Sequence, residues 1–322
     1  MAATRNTVLL LILVVSAVSL FFNVSYLIET ATIHLGIQPE CPTSAPVVIQ
    51  APPAQSSPSY KDERYHLLSQ CLHTAFFHVE NVNVWDKMQP TMDYCNSVVN
   101  LNKDHMIAYQ NNDEVKYHMD PIDQNQLTNC HIITLGIGHD VTVETKLRDK
   151  YKEKCKFQAA DPITTVNEEI YKPIGQYFPF AVGNATKVEL TSVKEDPKTE
   201  TYTNRNFSHV ELVEFLRDKA GVSKNDIIDQ LLVDIEYAEF AMVDYFFLNN
   251  KLDLAGYTIC QWNAEFHYPS DSQKVEFGRF MKQIAKDERY LPFHVVTGYH
   301  IRLYFVNVAD QRCFDRYVKD RI

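Results

Sequence analysis

The sequence lacks the features that mark several common protein classes. It has only nine glycines in 322 residues, which argues against flexible low-complexity sequence. No run of Lys or Arg exceeds two residues and the formal net charge is -10, so no nucleic-acid partner is expected. The cysteines form no Cys-x-x-Cys or Cys/His spacing, and no metal site is predicted. No Asp-x-Asp occurs, so the metal-nucleotide ligand pair of many glycosyltransferases is missing.

What the chain does contain is a large apolar and aromatic fraction. Hydrophobic residues make up 45% of the sequence and charged residues 22%, which are ordinary values for a globular protein. Eighteen Tyr and eighteen Phe favour a well-packed interior. The length allows one large domain with extensions, or two small domains.

An uncharged, mostly aliphatic segment spans residues 7–28. A segment of this length suffices to cross a bilayer core of roughly 30 Å at about 1.5 Å per residue. Arg5 is the only charged side chain before it and Glu29 the first after it, so the positive-inside tendency leaves residues 1–6 in the cytosol. We therefore expect a single-pass type II membrane protein. A cleaved signal peptide is the alternative, because small residues occur at Ser16 to Ser19.

Both alternatives deliver the rest of the chain to the lumen of the secretory pathway, such as the Golgi, or to the cell exterior. Residues 29–62 include a Pro/Ser-rich stretch that can neither form a helix nor bury much apolar area, and they are predicted to be a stem. Asn184-Ala185-Thr186 and Asn206-Phe207-Ser208 are glycosylation acceptors, which fits a lumenal glycoprotein.

All seven cysteines follow the apolar segment, on the side of the membrane where disulfides persist. Cys41 is the outlier, because it lies in the stem, where too few core-forming residues surround it. Our hypothesis is that Cys41 links two chains in a homodimer while some of the other six cysteines pair internally. A free thiol at Cys41 is the alternative.

From residue 130 onward, strand and helix patterns alternate. Strands are predicted at 131–138, 156–161, 178–182, 227–235 and 257–267, a hairpin at 189–203, two final strands within 293–308, and helices at 141–152, 164–171, 210–220, 239–248 and 272–286. This alternation predicts a mostly parallel sheet covered on both faces, with ligands at the carboxyl ends of its strands. Residues 63–129 show no clean period and are interpreted as a membrane-proximal subdomain or a cover of the main domain.

Four segments at predicted strand ends resemble the FkbM-type S-adenosylmethionine-dependent methyltransferases, and in particular membrane-tethered animal, nematode-like members. They are Leu135-Gly136-Ile137-Gly138-His139-Asp140, Ala160-Asp161-Pro162, Asp234-Ile235-Glu236-Tyr237-Ala238-Glu239 and Gln261-Trp262-Asn263-Ala264-Glu265-Phe266-His267. The resemblance implies a Rossmann-like class I methyltransferase fold over residues 130–322, with a seven-stranded, mostly parallel sheet. It also implies S-adenosylmethionine as the cofactor.

The resemblance places the cofactor beside the ends of the first three predicted strands. The residues it implicates are Leu135, Gly136, Gly138, Asp140, Asp161, Pro162 and Val182. A glycine turn lets the backbone approach a ligand without a Cβ clash, although tight packing alone also requires such turns. Asp161 is expected to accept hydrogen bonds from both ribose hydroxyls, with a helix cap as the alternative. In the family, residues 181–184 should lie near the adenine, where a glycan on Asn184 would block it.

The candidate catalytic residues are Asp234, Glu236 and His267. Asp234 and Glu236 alternate along a strand and share one face, while Glu239 begins the next element. Carboxylates this close repel one another, which raises a pKa and suits one of them as the proton acceptor for a hydroxyl. We expect Asp234 or Glu236 to be this base, with His267 second. The alternative is that Asp234 and Glu239 only cap a helix.

The sequence therefore predicts O-methylation of a hydroxyl on a glycan or another secretory-pathway substrate. Two departures from the family pattern favour a non-catalytic, methyltransferase-like binding module at the membrane as an alternative. Tyr237 replaces the glycine of the family's Asp-x-Glu-Gly-x-Glu pattern, and Asp140 stands where many methyltransferases have a third glycine. A type II glycosyltransferase is the other alternative, suggested by the order of anchor, stem and globular domain.

Overall fold

Strands and helices alternate along most of the part of the chain that the structure describes. This computed structural model describes residues 63–194, 196, 198–199, 201–224 and 226–321. The strands are β1 (Met106–Gln110), β2 (Val115–Met119), β3 (Cys130–Leu135), β4 (Cys155–Ala160), β5 (Gln176–Phe178), β6 (Ala181–Gly183), β7 (Lys187–Lys194), β8 (Tyr202–Glu211), β9 (Ile227–Val233), β10 (Thr258–Ile259), β11 (Gln261–Phe266), β12 (Tyr290–Thr297) and β13 (Ile301–Asn307). The helices are α1 (Glu63–Phe77), α2 (Asn81–Val99), α3 (Thr142–Tyr151), α4 (Thr164–Tyr171), α5 (Leu212–Glu214, continued by a π-helical turn at Phe215–Lys219), α6 (Lys251–Ala255), α7 (Asp271–Asp287) and α8 (Gln311–Cys313, continued by a π-helical turn at Phe314–Val318).

The predicted cytosolic tail, anchor and stem, residues 1–62, lie outside the described residues. Among the residues that are described, no helix combines the length and the apolar character needed to span a bilayer.

One mixed sheet forms the centre of the fold. Its strand order is β12-β13-β11-β9-β3-β4-β5, and the short β10 pairs with the start of β9. Strands β11, β9, β3, β4 and β5 are parallel, whereas β13 runs antiparallel to both β11 and β12. Every residue of β3, β9 and β11 is buried, as expected for strands covered on both faces. This is the mixed α/β architecture that the alternating sequence pattern predicted.

The strand order reverses next to β3. The chain passes from β3 to β4 on one side and later returns to β9 on the other. The carboxyl ends of these three parallel strands therefore meet at one edge of the sheet. Open α/β sheets bind their ligands at such an edge. Three of the segments singled out in the sequence lie at the ends of these strands, and the fourth consists of β11 and His267, the residue after it.

Helices α1 and α2 belong to the same hydrophobic core as the sheet. Leu72 of α1 and Met88 of α2 are fully buried in the cluster that contains the apolar residues of β9, β11, β12 and β13. Helix α2 packs so closely on α7 that a Cβ at Gly278 would lie 2.1 Å from the carbonyl oxygen of Asn81. The segment before β3 thus contributes a layer of the core.

The β1–β2 hairpin is held on the sheet by two side-chain amides of β11. Asn263 accepts the N–H of Tyr117 and donates to its carbonyl, both at 2.8 Å. Gln261 makes the same two bonds with Met119, at 2.8 and 3.0 Å. Because each amide pairs with one backbone residue as a neighbouring strand would, the hairpin is fixed in register. Its turn reaches the carboxyl edge of the sheet.

A second sheet has three strands in the spatial order β6-β8-β7. Strands β7 and β8 form an antiparallel hairpin that begins at Lys187 and ends at Glu211, so the predicted hairpin at 189–203 is longer than expected. The predicted third strand at 178–182 is two separate strands. β5 joins the main sheet and β6 joins the hairpin.

Three disulfides join the six cysteines of the described residues. The pairs are Cys71–Cys95, Cys130–Cys155 and Cys260–Cys313. They tie α1 to α2, the start of β3 to the start of β4, and the residue before β11 to α8. Cys41 lies outside the described residues.

The predicted helix at 239–248 is wrong. Two 3₁₀ turns, Ala238–Ala241 and Val243–Phe246, occupy this segment. Apolar residues lie at nearly every position here, so no single face selects a helix. Side chains from elsewhere take up its backbone groups instead: Arg289 donates to the Phe246 carbonyl at 2.9 Å, and Asp287 accepts the N–H of Leu248 at 2.9 Å.

Candidate functional site

The turn after β3 needs glycine at two positions for different reasons. Gly136 has φ 81°, and a Cβ there would lie 1.6 Å from the carbonyl oxygen of Asp234, so this glycine lets the end of β9 pack on the turn. Gly138 has φ 60°, and a Cβ there would meet only Asp234 Oδ2, at 4.0 Å. Leu135 is fully buried, and its carbonyl accepts the N–H of Asp234 at 2.9 Å. Gly136 therefore serves packing, and Gly138 keeps the space above the turn open.

Asp161, the residue after β4, is bonded to this turn. Its Oδ2 accepts the N–H of Ile137 at 2.8 Å, and its Oδ1 accepts the N–H of Ile163 at 2.7 Å. The side chain of Asn167 is a third donor. A carboxylate has about four acceptor positions, so about one is left for a ligand hydroxyl. Burial raises the pKa of Asp161, and these three donors act against that rise.

Asp140 fixes the start of α3 and the β1–β2 hairpin. Its Oδ1 accepts the N–H of Thr142 and its Oδ2 the N–H of Asn112, both at 2.8 Å. Burial opposes the charge of Asp140, but these donors lower its pKa below the ordinary value. Asp140 borders the cleft with both oxygens already bonded to backbone N–H groups.

A cleft of about 1030 Å³, including its open mouth, lies above the carboxyl ends of β3, β4 and β9. This lies near the upper end of the usual range for ligand pockets. Pro162 and Val182 line the cleft together with Asp161. Residues of the β7–β8 hairpin close the side next to β4; they are Thr191, Val193, Lys194, Tyr202 and His209.

A second cleft adjoins the first and shares Glu236 with it. Asn184, Lys187, Asn204 and Tyr237 are among the residues that line it. A glycan on Asn184 would therefore project from the wall of this second cleft, next to the residues predicted to lie near the adenine. Asn206, in the other glycosylation acceptor, lies on an exposed stretch of β8.

The three predicted catalytic residues lie together beyond the carboxyl ends of β9 and β11. His267, after β11, places its Nε2 3.3 Å from Glu236 Oε2 and 3.6 Å from Asp234 Oδ1. Glu239 holds this imidazole from the other side, because its Oε1 accepts the Nδ1–H of His267 at 2.9 Å and its backbone N–H at 2.8 Å. Three carboxylates thus surround one histidine.

Charge decides which of these groups can accept a proton. Burial opposes the charge of His267, but the hydrogen bond to Glu239 and the three carboxylates outweigh it and raise the pKa to about 10. The raised pKa favours the protonated imidazole at neutral pH, which makes His267 a poorer proton acceptor than the carboxylates. Burial, with Glu265 and Glu114, raises the pKa of Asp234 well above its ordinary value. Burial also raises the pKa of Glu236, and His267 acts against this rise.

The structure adds a group of charged residues that the sequence analysis missed. Glu114 and Lys116 of the hairpin form an ion pair of 2.8 Å, and Arg302 of β13 lies 3.3 Å from Glu114 and 2.8 Å from Glu265. Burial and the charge of Glu114 raise the pKa of Glu265 to about 7. No local pattern indicates that this hairpin reaches the site, because its position depends on the amides of β11.

Three overlapping sets of carboxylate and imidazole groups at this edge have possible metal-ligand atoms within 4.8 Å of one another. The sets are Asp234/Glu236/His267, Glu265/His267/His300 and Glu114/Asp234/Glu265. Protonated His267 and the cations Lys116 and Arg302 already lie beside the carboxylates. His300 Nδ1 accepts the N–H of Tyr268 at 3.1 Å, which leaves the proton of the neutral ring on Nε2, the nitrogen that faces Glu265. We interpret the cluster as a network of ion pairs.

Comparison with known proteins identifies one family. Residues 88–307 match the family model described as the methyltransferase FkbM domain. The crystal structure of fibrillarin from Aeropyrum pernix, in complex with natively bound S-adenosyl-L-methionine, is similar with a TM-score of 0.31 and 12% identity, covering 56% of this chain and 67% of that chain. No curated protein matches the sequence.

Proposed function

Because this chain belongs to the methyltransferase FkbM domain family, we propose that it is an O-methyltransferase whose acceptor is a hydroxyl on a glycan or another secretory-pathway substrate. S-adenosylmethionine is the cofactor. The observation that carries the proposal is the convergence of Gly138, Asp161 and Glu236 on one cleft at the edge where the strand order reverses.

The charge of the cleft fits this cofactor. Six carboxylates line it, against two lysines; they are Asp113, Glu114, Asp140, Asp161, Asp234 and Glu236, with Lys116 and Lys194. A sulfonium compound is positively charged at its reacting centre, so an acid-rich cleft attracts it. Asp161 retains about one acceptor position for a ribose hydroxyl. When bound, the cofactor supplies an electrophilic methyl group.

Glu236 is the proposed general base. It lines both clefts, so it lies between the cofactor cleft and the space we assign to the acceptor. Its raised pKa brings it closer to neutrality, which suits a group that takes a proton from a hydroxyl. Asp234 is the weaker candidate, because it lines the cofactor cleft but not the second cleft. Protonated His267 holds both carboxylates in place.

The proposed setting is the lumen of the secretory pathway. Residues 7–28 supply the membrane anchor and residues 29–62 the stem. Cys41, in the stem, forms a disulfide between two chains in a homodimer. The three disulfides of the described residues support an oxidising compartment. Non-reducing electrophoresis that shows a monomer, unchanged in Cys41→Ser, would reject the covalent dimer.

Binding and transfer measurements on the full-length chain, purified in detergent, test the proposed activity. In calorimetry we expect S-adenosylhomocysteine to bind and UDP-N-acetylglucosamine not to bind. In transfer assays, tritium from methyl-labelled S-adenosylmethionine should appear on glycans released from cell-surface glycoproteins. Glu236→Gln should lower this transfer by about 10²- to 10⁴-fold and leave S-adenosylhomocysteine affinity unchanged.

Glu153→Gln is the control, because it removes the same charge from a side chain that is 92% exposed and lines neither cleft. Its transfer rate should remain within the range of the wild type. Binding of the sugar nucleotide would instead support a type II glycosyltransferase. Binding of neither compound would support a non-catalytic module at the membrane. Either of these two results would reject the proposed methyltransferase activity.

A further inference from the structure

Lys116 is a buried cation in the cofactor cleft. Its side chain is 8% exposed, and it lies on β2, outside the βα units that carry the rest of the site. Burial opposes its charge, but Glu114, with Glu144 and Asp234, raises its pKa, so the ammonium stays protonated. Lysine is rarely buried unless it is paired with an acid, because desolvating an ammonium is costly.

The ammonium of Lys116 has unused hydrogen-bonding capacity. It has three N–H donors, and among the described residues the partner within hydrogen-bonding distance is Glu114, at 2.8 Å. Glu114 is itself shared with Arg302, 3.3 Å away. A buried ion pair contributes little to stability by itself, since the desolvation penalty offsets the attraction. The remaining donors are available to an acceptor inside the cleft.

The position of Lys116 relative to Asp161 gives the cleft two chemically different ends. Asp161 follows β4, on one side of the glycine turn, whereas the β1–β2 hairpin is bonded to β11, beyond β9 on the other side. Both residues line the same cleft, with Gly136 and Gly138 between them. A ligand whose ribose is bonded to Asp161 and whose tail crosses the turn extends toward the side of the cleft that Lys116 lines.

We infer that the Lys116–Glu114 pair is the subsite for the amino-acid end of the cofactor, where Lys116 binds the carboxylate and Glu114 orients Lys116. This inference rests on the proposed function and assigns a role to the hairpin. The acid-rich remainder of the cleft suits the ammonium group of the same amino-acid end, so the two charges of a zwitterion are matched separately.

Two probes that differ by one carboxylate test the inference. Full-length protein is titrated calorimetrically with S-adenosylhomocysteine and with its decarboxylated analogue. We expect the wild type to prefer S-adenosylhomocysteine by about 10- to 100-fold, the range of a hydrogen bond to a charged group. Lys116→Met should abolish this preference by weakening S-adenosylhomocysteine binding, while the analogue binds as well as before or more tightly.

Lys194→Met is the matched control, because it removes the same charge from the part of the cleft that the β7–β8 hairpin lines. It should leave the ratio of the two affinities unchanged. If Lys116→Met fails to fold, the double variant Lys116→Met/Glu114→Gln removes both charges of the pair and is measured in the same way.

The outcomes separate the inference from the proposed function. A wild type that binds S-adenosylhomocysteine but does not distinguish the analogue overturns the inference and leaves the methyltransferase proposal intact. A Lys116→Met variant that still binds S-adenosylhomocysteine more tightly than the analogue also overturns the inference and leaves the methyltransferase proposal intact. A wild type that binds neither probe overturns both.

Discussion

The carboxylate of Asp161 accepts the backbone N–H of Ile137 at 2.8 Å, so the acid that ends β4 is fastened to the glycine turn that ends β3. The same carboxylate accepts the N–H of Ile163, just before α4. One side chain therefore sets the distance between two ends of parallel strands and borders the cleft between them. Its structural and binding roles cannot be separated by deleting it alone.

Asp161→Asn should lower the affinity for S-adenosylhomocysteine by about 10-fold or more, because the amide offers only one oxygen and presents N–H groups to other donors. Calorimetry on the full-length chain measures this change. Asp123→Asn, at an exposed 3₁₀ turn, is the control and should leave binding unaltered. Equal affinities for the two variants would show that Asp161 does not contribute to the ligand site.

Stability should fall as the pH rises from 6.5 toward 10. The folded-state pKa of His267 is raised from 6.5 to about 10, so its stabilising contribution is complete below 6.5 and is lost as the pH rises through the folded value. Within this window the free energy of unfolding falls by at most about 1.4 kcal/mol per pH unit. The pKa of Glu265 is raised to about 7, so the effect of its titration on stability falls mainly at lower pH.

Unfolding at pH 7.5, 8.5 and 9.5, compared between the wild type and His267→Gln, isolates this contribution. The difference in unfolding free energy between the two proteins should shrink toward the highest pH. A constant difference across the series would mean that His267 is not the cation of this cluster.

Tyr237 has φ 73° and follows Glu236 at φ 49°, so two successive residues with a Cβ adopt the left-handed region. A Cβ in this region costs roughly 1 kcal/mol, which glycine avoids. We expect Tyr237→Gly to be more stable than Tyr237→Ala by about 1 kcal/mol in thermal unfolding. The alanine variant controls for loss of the ring, which lies 5.2 Å from the ring of His267. If the two variants unfold alike, no backbone strain is present at Tyr237.

The disulfides should differ in their effect on stability according to the loop that each closes. Replacing Cys260 and Cys313 by alanine opens a loop with a sequence separation of 53, and replacing Cys130 and Cys155 one of 25. The chain-entropy estimate is about 4.2 kcal/mol for the first pair and about 3.5 kcal/mol for the second. Denaturant titration of both double variants checks this order. The reverse order would point to a folded-state contribution from Cys130–Cys155.

The sequence predicted the central sheet well because its strands are short, mostly apolar runs bounded by turn residues or acids. Strand β3 is followed by Gly136 and β9 by Asp234. Strand β11 has a different pattern, because polar and apolar residues alternate along it. Helix α2 was missed because it contains Pro90 in its interior, and its stability comes from packing on α7 rather than from local propensity.

The site was predictable where its residues lie within a few positions after the end of a strand. Gly136, Gly138, Asp161, Asp234 and Glu236 do so, and the structure brings them together. Lys116 was not predictable, because on β2 it is buried while its neighbours Val115 and Tyr117 are only half-buried, which inverts the usual alternation of apolar and polar faces. Tertiary contacts, not local pattern, set that inversion.

The shared core of α1, α2 and the sheet limits how far the protein can be truncated from its N-terminal side. A version begun at Cys130 would uncover the surface against which Leu68, Leu72, Phe76, Val84 and Met92 are packed. Exposure of this apolar surface to water promotes aggregation. The smallest fragment worth expressing therefore starts ahead of Glu63.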